Sequence, residues 1–403
     1  MLKTKKNYNG INGAISIPGD KSISHRSIII PSISKGTAEI SNILFSEDVK
    51  HTINSFIDMG IELKIDNNKI FIKGNGLAGL KKPKKEIYLG NSGTSARLLT
   101  GLLSSQNFDT VLKGDDSLSK RPMGRIINPL MLMGAKFESE NNKLPLLIKG
   151  KELRTINYEL NIPSAQVKSG ILFAALNTNG TTQLVENFIT RDHTEIMLQS
   201  FGADIKISKT DNKKYLSING KKELKSKNIN VPSDLSSAAF FIVAALINKN
   251  SKIVLKNIGI NPTRDGILKA LKLMGAKIRI HNQRFDNFEK IGDLEVETSK
   301  LKGCELNEEM AHLMIDEYPI LSIAASFAEG VSIFQGLGEL KVKESNRLEL
   351  IKINLNNCGA ECEIVNDSLI IKPNKNLKVK NNKIVTNFDH RIAMSFAVMG
   401  SVL

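Results

Sequence analysis

The chain has 403 residues, 41% apolar and 24% charged, which excludes general disorder and gives length for about two or three cores. Its formal net charge of +15 and pI of about 9.5 suit an acidic partner: nucleic acid, an anionic membrane or a polyanionic small molecule. The N-terminus lacks the apolar stretch of a signal peptide, and the apolar runs at 238–247 and 392–403 are too short to span a bilayer, so a cytoplasmic protein is expected.

In chain order, residues 13–18 read as a strand with no partner of its own. Asp20 is an N-cap for the apolar run that follows, which places Lys21, Ser22 and Arg26 in the first two turns of a helix. The macrodipole is positive there, so each cation costs roughly a few tenths of a kcal/mol unless an anion sits among them. Similar helix starts recur at Asn91-Ser92-Gly93-Thr94, Pro163-Ser164-Ala165-Gln166, Pro232-Ser233-Asp234, Asp316-Glu317-Tyr318-Pro319 and Asp389-His390-Arg391. A second helix of each repeat ends at a glycine suited to a left-handed C-cap, followed by an alternating strand: Met59-Gly60, Met133-Gly134, Phe201-Gly202, Met274-Gly275 and Cys358-Gly359. The repeat is strand, helix, strand, helix, strand, strand, an α/β pattern. Six copies suggest two halves of three, with residues 20–231 forming one and residues 1–19 with 232–403 the other; the sixth copy is incomplete, as in a fragment or a degenerate repeat.

Several helix starts carry additional cations: Lys21, Arg26, Arg97, Lys168 and Arg391, with Arg121 and Arg347 elsewhere in their repeats. Cations repeated at positive helix ends predict a ligand set bearing several phosphates or carboxylates. Gly93, without a Cβ, lets backbone N–H groups come close to an anion. Two acids sit among these bases. Asp316 reads equally as an N-cap or a proton acceptor, and Glu344 as a helical salt-bridge partner or a proton carrier. His25 and His390 read as structural hydrogen-bonders. Cys304, Cys358 and Cys362 form neither a disulfide framework nor a zinc pattern, in keeping with a reducing compartment.

The stretches 19–26 (Gly-Asp-Lys-Ser-Ile-Ser-His-Arg), 90–94, 120–123, 163–169, 190–195, 341–347 and 389–391 together resemble the EPSP synthase (3-phosphoshikimate 1-carboxyvinyltransferase) family, in order along nearly the whole chain. The resemblance implies a two-domain inside-out αβ barrel with the active site in the cleft between the domains. It also implies transfer of the enolpyruvyl group of phosphoenolpyruvate to shikimate 3-phosphate, in the shikimate pathway to chorismate and the aromatic amino acids, without metal or organic cofactor. By motif position, shikimate 3-phosphate falls to Lys21, Ser22, Arg26, Ser164, Gln166, Asp316 and Lys343, with Thr190 and His193 lining its pocket. Phosphoenolpyruvate falls to Lys21, Asn91, Gly93, Arg121, Gln166, Arg347 and Arg391. Asp316, Glu344 and Lys21 are the expected proton-transfer groups, a monomer is expected, and glyphosate is the implied inhibitor. Three departures from the family pattern stand out: Asn346 replaces a usual Asp, Ala165 replaces a Ser of some members, and the family normally continues beyond Leu403. Two rival readings share the fold: a UDP-N-acetylglucosamine enolpyruvyl transferase, which generally needs a cysteine near Arg121 that is absent here, and an RNA-end-processing or RNA-binding protein, disfavoured by 5% aromatics and no Trp.

Overall fold

A computed structural model describes residues 3–210, 213–373 and 377–403. The chain forms two compact units. The N-terminal unit is Pro18–Pro232 with Asp286–Glu289; the C-terminal unit is Met1–Ile17, Ser233–Phe285 and Lys290–Leu403. Among the described residues no helix is long and apolar enough to cross a membrane.

The N-terminal unit contains helices α1 (Lys21–Ser32), α2 (Glu47–Asp58), α3 (Gly93–Ser104), α4 (Asp116–Ser119), α5 (Gly124–Leu132), α6 (Ala165–Leu176) and α7 (His193–Ser200). Its three four-stranded sheets share one plan, in which an outer strand lies parallel to a second strand and that second strand pairs with an antiparallel pair of consecutive strands. In the second sheet Ile87–Tyr88 runs parallel to Thr110–Lys113, which pairs antiparallel with Leu146–Lys149, and that strand with Lys136–Glu138. The first sheet takes its outer strand from far along the chain, since Ile229–Asn230 pairs with Lys35–Ser41. Helices α1, α3 and α6 are buried over most of their surface, as expected for apolar helices without a single hydrophobic stripe. α3 and α6 meet at Gly101 and Gly170, where a Cβ on Gly101 would overlap the Gly170 backbone.

The C-terminal unit contains α8 (Leu235–Ile247), α9 (Gly266–Leu273), α10 (Glu308–Met314), α11 (Tyr318–Ser326), α12 (Arg347–Asn357) and α13 (His390–Met399). Its sheets follow the same plan, and the leading strand Asn12–Ile15 pairs in parallel with Lys252–Gly259. Helices α8, α11 and α13 pack on one another in the core. The architecture is therefore an α/β repeat with mixed sheets.

Local chemistry explains the repeat boundaries. Gly60, Gly134, Gly202, Gly275 and Gly359 have φ of +82°, +93°, +92°, +83° and +91°, the left-handed region that a side chain disfavours. At Gly60 the two hydrogen bonds of a Schellman cap form, from Gly60 N to Ile57 O at 2.9 Å and from Ile61 N to Phe56 O at 3.0 Å. Helix starts are capped by side chains as the sequence indicates: Asp20 accepts from Ile23 N at 2.8 Å, Ser92 from Ser95 N at 3.2 Å and Ser164 from Val167 N at 3.3 Å.

Candidate active site

In the N-terminal unit, side-chain bonds tie helix starts together. Arg26 of α1 is 3% exposed and donates through Nη2 to Ser169 Oγ of α6 at 2.8 Å, through Nε to Thr194 Oγ1 of α7 at 2.6 Å and through Nη1 to the Ser22 carbonyl at 2.8 Å. Burial lowers its pKa to about 10, which leaves it charged at neutral pH. His25 Nδ1 lies 2.8 Å from Thr52 Oγ1 of α2 and 3.3 Å from Ser95 Oγ of α3. Burial, reinforced by Lys21, pushes that imidazole down to about 3, so it is neutral. Gln166 bridges α6 to α3, accepting from Arg97 Nη1 at 2.8 Å and donating to Thr94 Oγ1 at 3.0 Å.

These ties join the starts of α1, α3, α6 and α7, which carry Lys21, Ser22, Arg26, Asn91, Gly93, Ser164 and Gln166, and Arg121 reaches the start of α3 from the loop after α4. Lys21 pairs with Asp48 at 3.1 Å and keeps a third of its side chain exposed. Arg121 donates through Nη2 to Asn91 Oδ1. A Cβ on Gly93 would lie 3.0 Å from Arg97 Nη1 and 3.1 Å from Arg121 Nη1, so the missing methyl lets two guanidinium groups close on the start of α3.

Thr190 and His193 are held by buried acids. The Thr190 hydroxyl donates to Glu186 Oε1 at 2.5 Å, and His193 Nδ1 is 2.5 Å from Glu289 Oε1, both side chains being buried. Lys168 differs from its sequence reading as an anion-facing cation. It is fully buried, with Nζ 2.9 Å from Glu186 and 2.7 Å from Glu195, and Lys214 joins the same acids at 3.8 and 3.0 Å. Its charge is spent inside the unit, because an unpaired ammonium at that depth would be too costly.

In the C-terminal unit the organising group is Arg347, the first residue of α12 and 1% exposed. Its Nε donates to Asp389 Oδ2 at 2.8 Å, its Nη1 lies 3.3 Å from Asp316 Oδ1, and its Nη2 donates to Glu344 Oε2. Burial opposes its charge, but Glu344, Asp316 and Asp389 outweigh burial and raise its pKa above the ordinary value. This arrangement removes the N-cap reading of Asp316 and the helix-face reading of Glu344. Glu317, not Asp316, occupies the N-cap of α11, so the Asp316 carboxylate turns to Arg347 and, at 3.9 Å, to Lys343. Glu344 precedes α12, so its ion pair with Arg347 is not one along a helix face. Asn346 caps α12, accepting from Glu349 N at 3.2 Å, a task Asn performs as well as Asp. Arg391 donates to the Asp316 carbonyl at 3.2 Å and stands 3.8 Å from Glu317 Oε1.

Sequence reading missed Asp48, Ser236, Arg264 and Glu317. One signal for Arg264 was present: Thr263-Arg264-Asp265 before α9 repeats Thr190-Arg191-Asp192 before α7. All three cysteines lie in the C-terminal unit, where burial pushes Cys304 and Cys358 up to about 11 and Cys362 to about 12. They are protonated at neutral pH.

The chain as a whole is similar to known proteins. The family model for EPSP synthase (3-phosphoshikimate 1-carboxyvinyltransferase) matches residues 5–403. A 3-phosphoshikimate 1-carboxyvinyltransferase of Lactococcus lactis subsp. cremoris is 45% identical over 98% of this chain and 92% of its own length; that of Ruthia magnifica is 46% identical over 98% and 89%. A solved EPSP synthase from Acinetobacter baumannii is 43% identical, with a TM-score of 0.87 over 99% of this chain and 91% of that one. A match that runs through both units and every helix start described above leaves one conclusion: the chain belongs to the EPSP synthase family.

Proposed function

We propose that the chain transfers the enolpyruvyl group of phosphoenolpyruvate to the 5-hydroxyl of shikimate 3-phosphate, releasing phosphate. The hydroxyl oxygen attacks C2 and loses its proton, C3 gains a proton, and the tetrahedral adduct then returns a C3 proton and expels phosphate. Asp316 serves as base at the hydroxyl, and Glu344 with Lys21 handles the proton at C3. Lys21, Ser22, Arg26, Ser164, Gln166, Asp316 and Lys343 hold shikimate 3-phosphate, with Thr190 and His193 lining that pocket. Lys21, Asn91, Gly93, Arg121, Gln166, Arg347 and Arg391 hold phosphoenolpyruvate. Buried helices with sheets outside them support the finer architecture proposed here, an inside-out αβ barrel of βαβαββ repeats, three to a half.

The observation that carries the reading is the hold of buried Arg347 on Asp316 and Glu344, the two acids given the proton transfers. A charge-assisted hold orients both carboxylates before substrate arrives. Phosphate release from phosphoenolpyruvate on addition of shikimate 3-phosphate is the expected result. Release with UDP-N-acetylglucosamine, and none with shikimate 3-phosphate, would overturn it.

A further inference from the structure

Beneath the starts of α8 and α11 in the C-terminal unit lies a polar chain that the reaction as proposed does not use. Arg264, 5% exposed, donates through Nη2 to Asp234 Oδ1 at 2.8 Å and to Ser236 Oγ at 2.7 Å. Asp234 Oδ1 also caps α8, accepting from Ser236 N at 2.9 Å. The Ser236 hydroxyl has a single proton, and because it accepts from Arg264 it can give that proton to Glu317 Oε1. The direction is therefore fixed: guanidinium to hydroxyl to carboxylate, each bond polarising the next. Glu317 is 2% exposed, and its Oε2 is buried with no hydrogen-bond partner among the described residues. Its Oε1 stands 3.8 Å from Arg391 Nη1, and that same nitrogen donates to the carbonyl of the neighbouring Asp316 at 3.2 Å.

We infer that Glu317 is a positioning residue for the anion-binding Arg391, and that Arg264, Asp234 and Ser236 exist to hold Glu317 in place. A carboxylate buried to this degree with one oxygen unmatched is expensive, and stability alone does not account for it. Its charge is placed where it draws one arm of Arg391 onto the Asp316 backbone, leaving the remaining donors of the fork for a phosphate or carboxylate. The Arg264 end matters because, without it, the Ser236 proton has no fixed direction.

The inference rests on the functional reading above. Two variants test it, Glu317→Gln, which keeps shape and removes charge, and Ser236→Ala, which removes the relay. The expected result for Glu317→Gln is a rise of roughly tenfold in KM for phosphoenolpyruvate, with KM for shikimate 3-phosphate within about twofold and a smaller rise of the same kind for Ser236→Ala. Unchanged KM for phosphoenolpyruvate in both variants would overturn the inference. So would an equal rise in both KM values with a lowered Tm, the signature of a merely structural group. Calorimetric titration with inorganic phosphate separates this from the fate of the functional reading. Glu317→Gln should weaken phosphate binding about tenfold even if the unmodified chain turned over no shikimate 3-phosphate, and equal phosphate affinity would count against the inference.

Discussion

Replacing Glu195 by Gln tests the buried cluster beneath Thr190. Glu195 Oε1 is shared by Lys168 Nζ at 2.7 Å and Lys214 Nζ at 3.0 Å, with Glu186 as the second acid, and all four side chains are at most 2% exposed. The native cluster is neutral, two ammonium groups against two carboxylates; the variant carries one unit of buried positive charge. Breaking a buried pair in this way costs about 3–5 kcal/mol. The carboxyl itself gives a similar figure: burial pushes it up, Lys168 and Lys214 outweigh burial, and it is held at about 2 against an ordinary 4.5. That difference corresponds to about 3 kcal/mol. Urea unfolding at pH 7, followed by circular dichroism, should show the midpoint of the unit falling by roughly 1 M. Because the folded-state pKa is depressed, the contribution is complete above the ordinary carboxyl value and fades as pH falls towards about 2, so the two proteins should converge in acid. Adding Lys214→Met to the variant removes the excess charge and should recover part of the loss. A midpoint within about 0.2 M of the parent at pH 7 would refute the picture of an ionised, paired cluster.

Three other outcomes are expected. Gly93→Ala puts a methyl 3.0–3.1 Å from the tips of Arg97 and Arg121, which can each yield by a few tenths of an ångström, so folding should survive while KM for phosphoenolpyruvate rises about three- to tenfold. Glyphosate inhibition should weaken further than that; equally weak inhibition before and after the change would count against the steric account. Asp316→Asn should lower kcat about 10²- to 10⁴-fold in a steady-state assay while the urea midpoint falls only modestly, since Glu344 and Asp389 still pair with Arg347. His25 is buried neutral and must take up a proton on unfolding, so it contributes a loss of stability as pH falls from 6.5 towards about 3; His25→Gln should flatten that slope by about 1.4 kcal/mol per pH unit in acid titrations of the urea midpoint.

Features that depend on one residue and its near neighbours were readable in the sequence. The five glycine caps follow from the steric exclusion of a Cβ at positive φ, and the Asp20, Ser92 and Ser164 caps from an oxygen within reach of an N–H three residues on. Side-chain direction was not readable, because it is decided by partners far along the chain. Lys168 and Arg26 look alike in sequence, each a cation in the first turns of a helix. One is neutralised by Glu186 and Glu195, and the other is held by the hydroxyls of Ser169 and Thr194. Asp316 and Glu317 are adjacent acids whose tasks separate only because α11 starts one residue later than the cap pattern suggests. Arg264 was hidden because its partners, Asp234 and Ser236, precede it by 30 and 28 residues.

The leading strand also bears on how the chain is made. Asn12 pairs with Lys252, a separation of 240 residues (252 − 12), whereas Ile229 returns to Ile40 within the N-terminal unit. At a synthesis rate of about 5–20 residues per second, the leading strand waits roughly 12–50 seconds after leaving the ribosome before its partner emerges. During that interval its backbone donors and acceptors form an open strand edge, the kind of surface that pairs with other chains. The strand is only four residues long, and three of them are largely exposed even when it is paired, so it offers little for a stray partner to bind. Shortness and exposure thus let a strand that is made long before its partner wait unpaired.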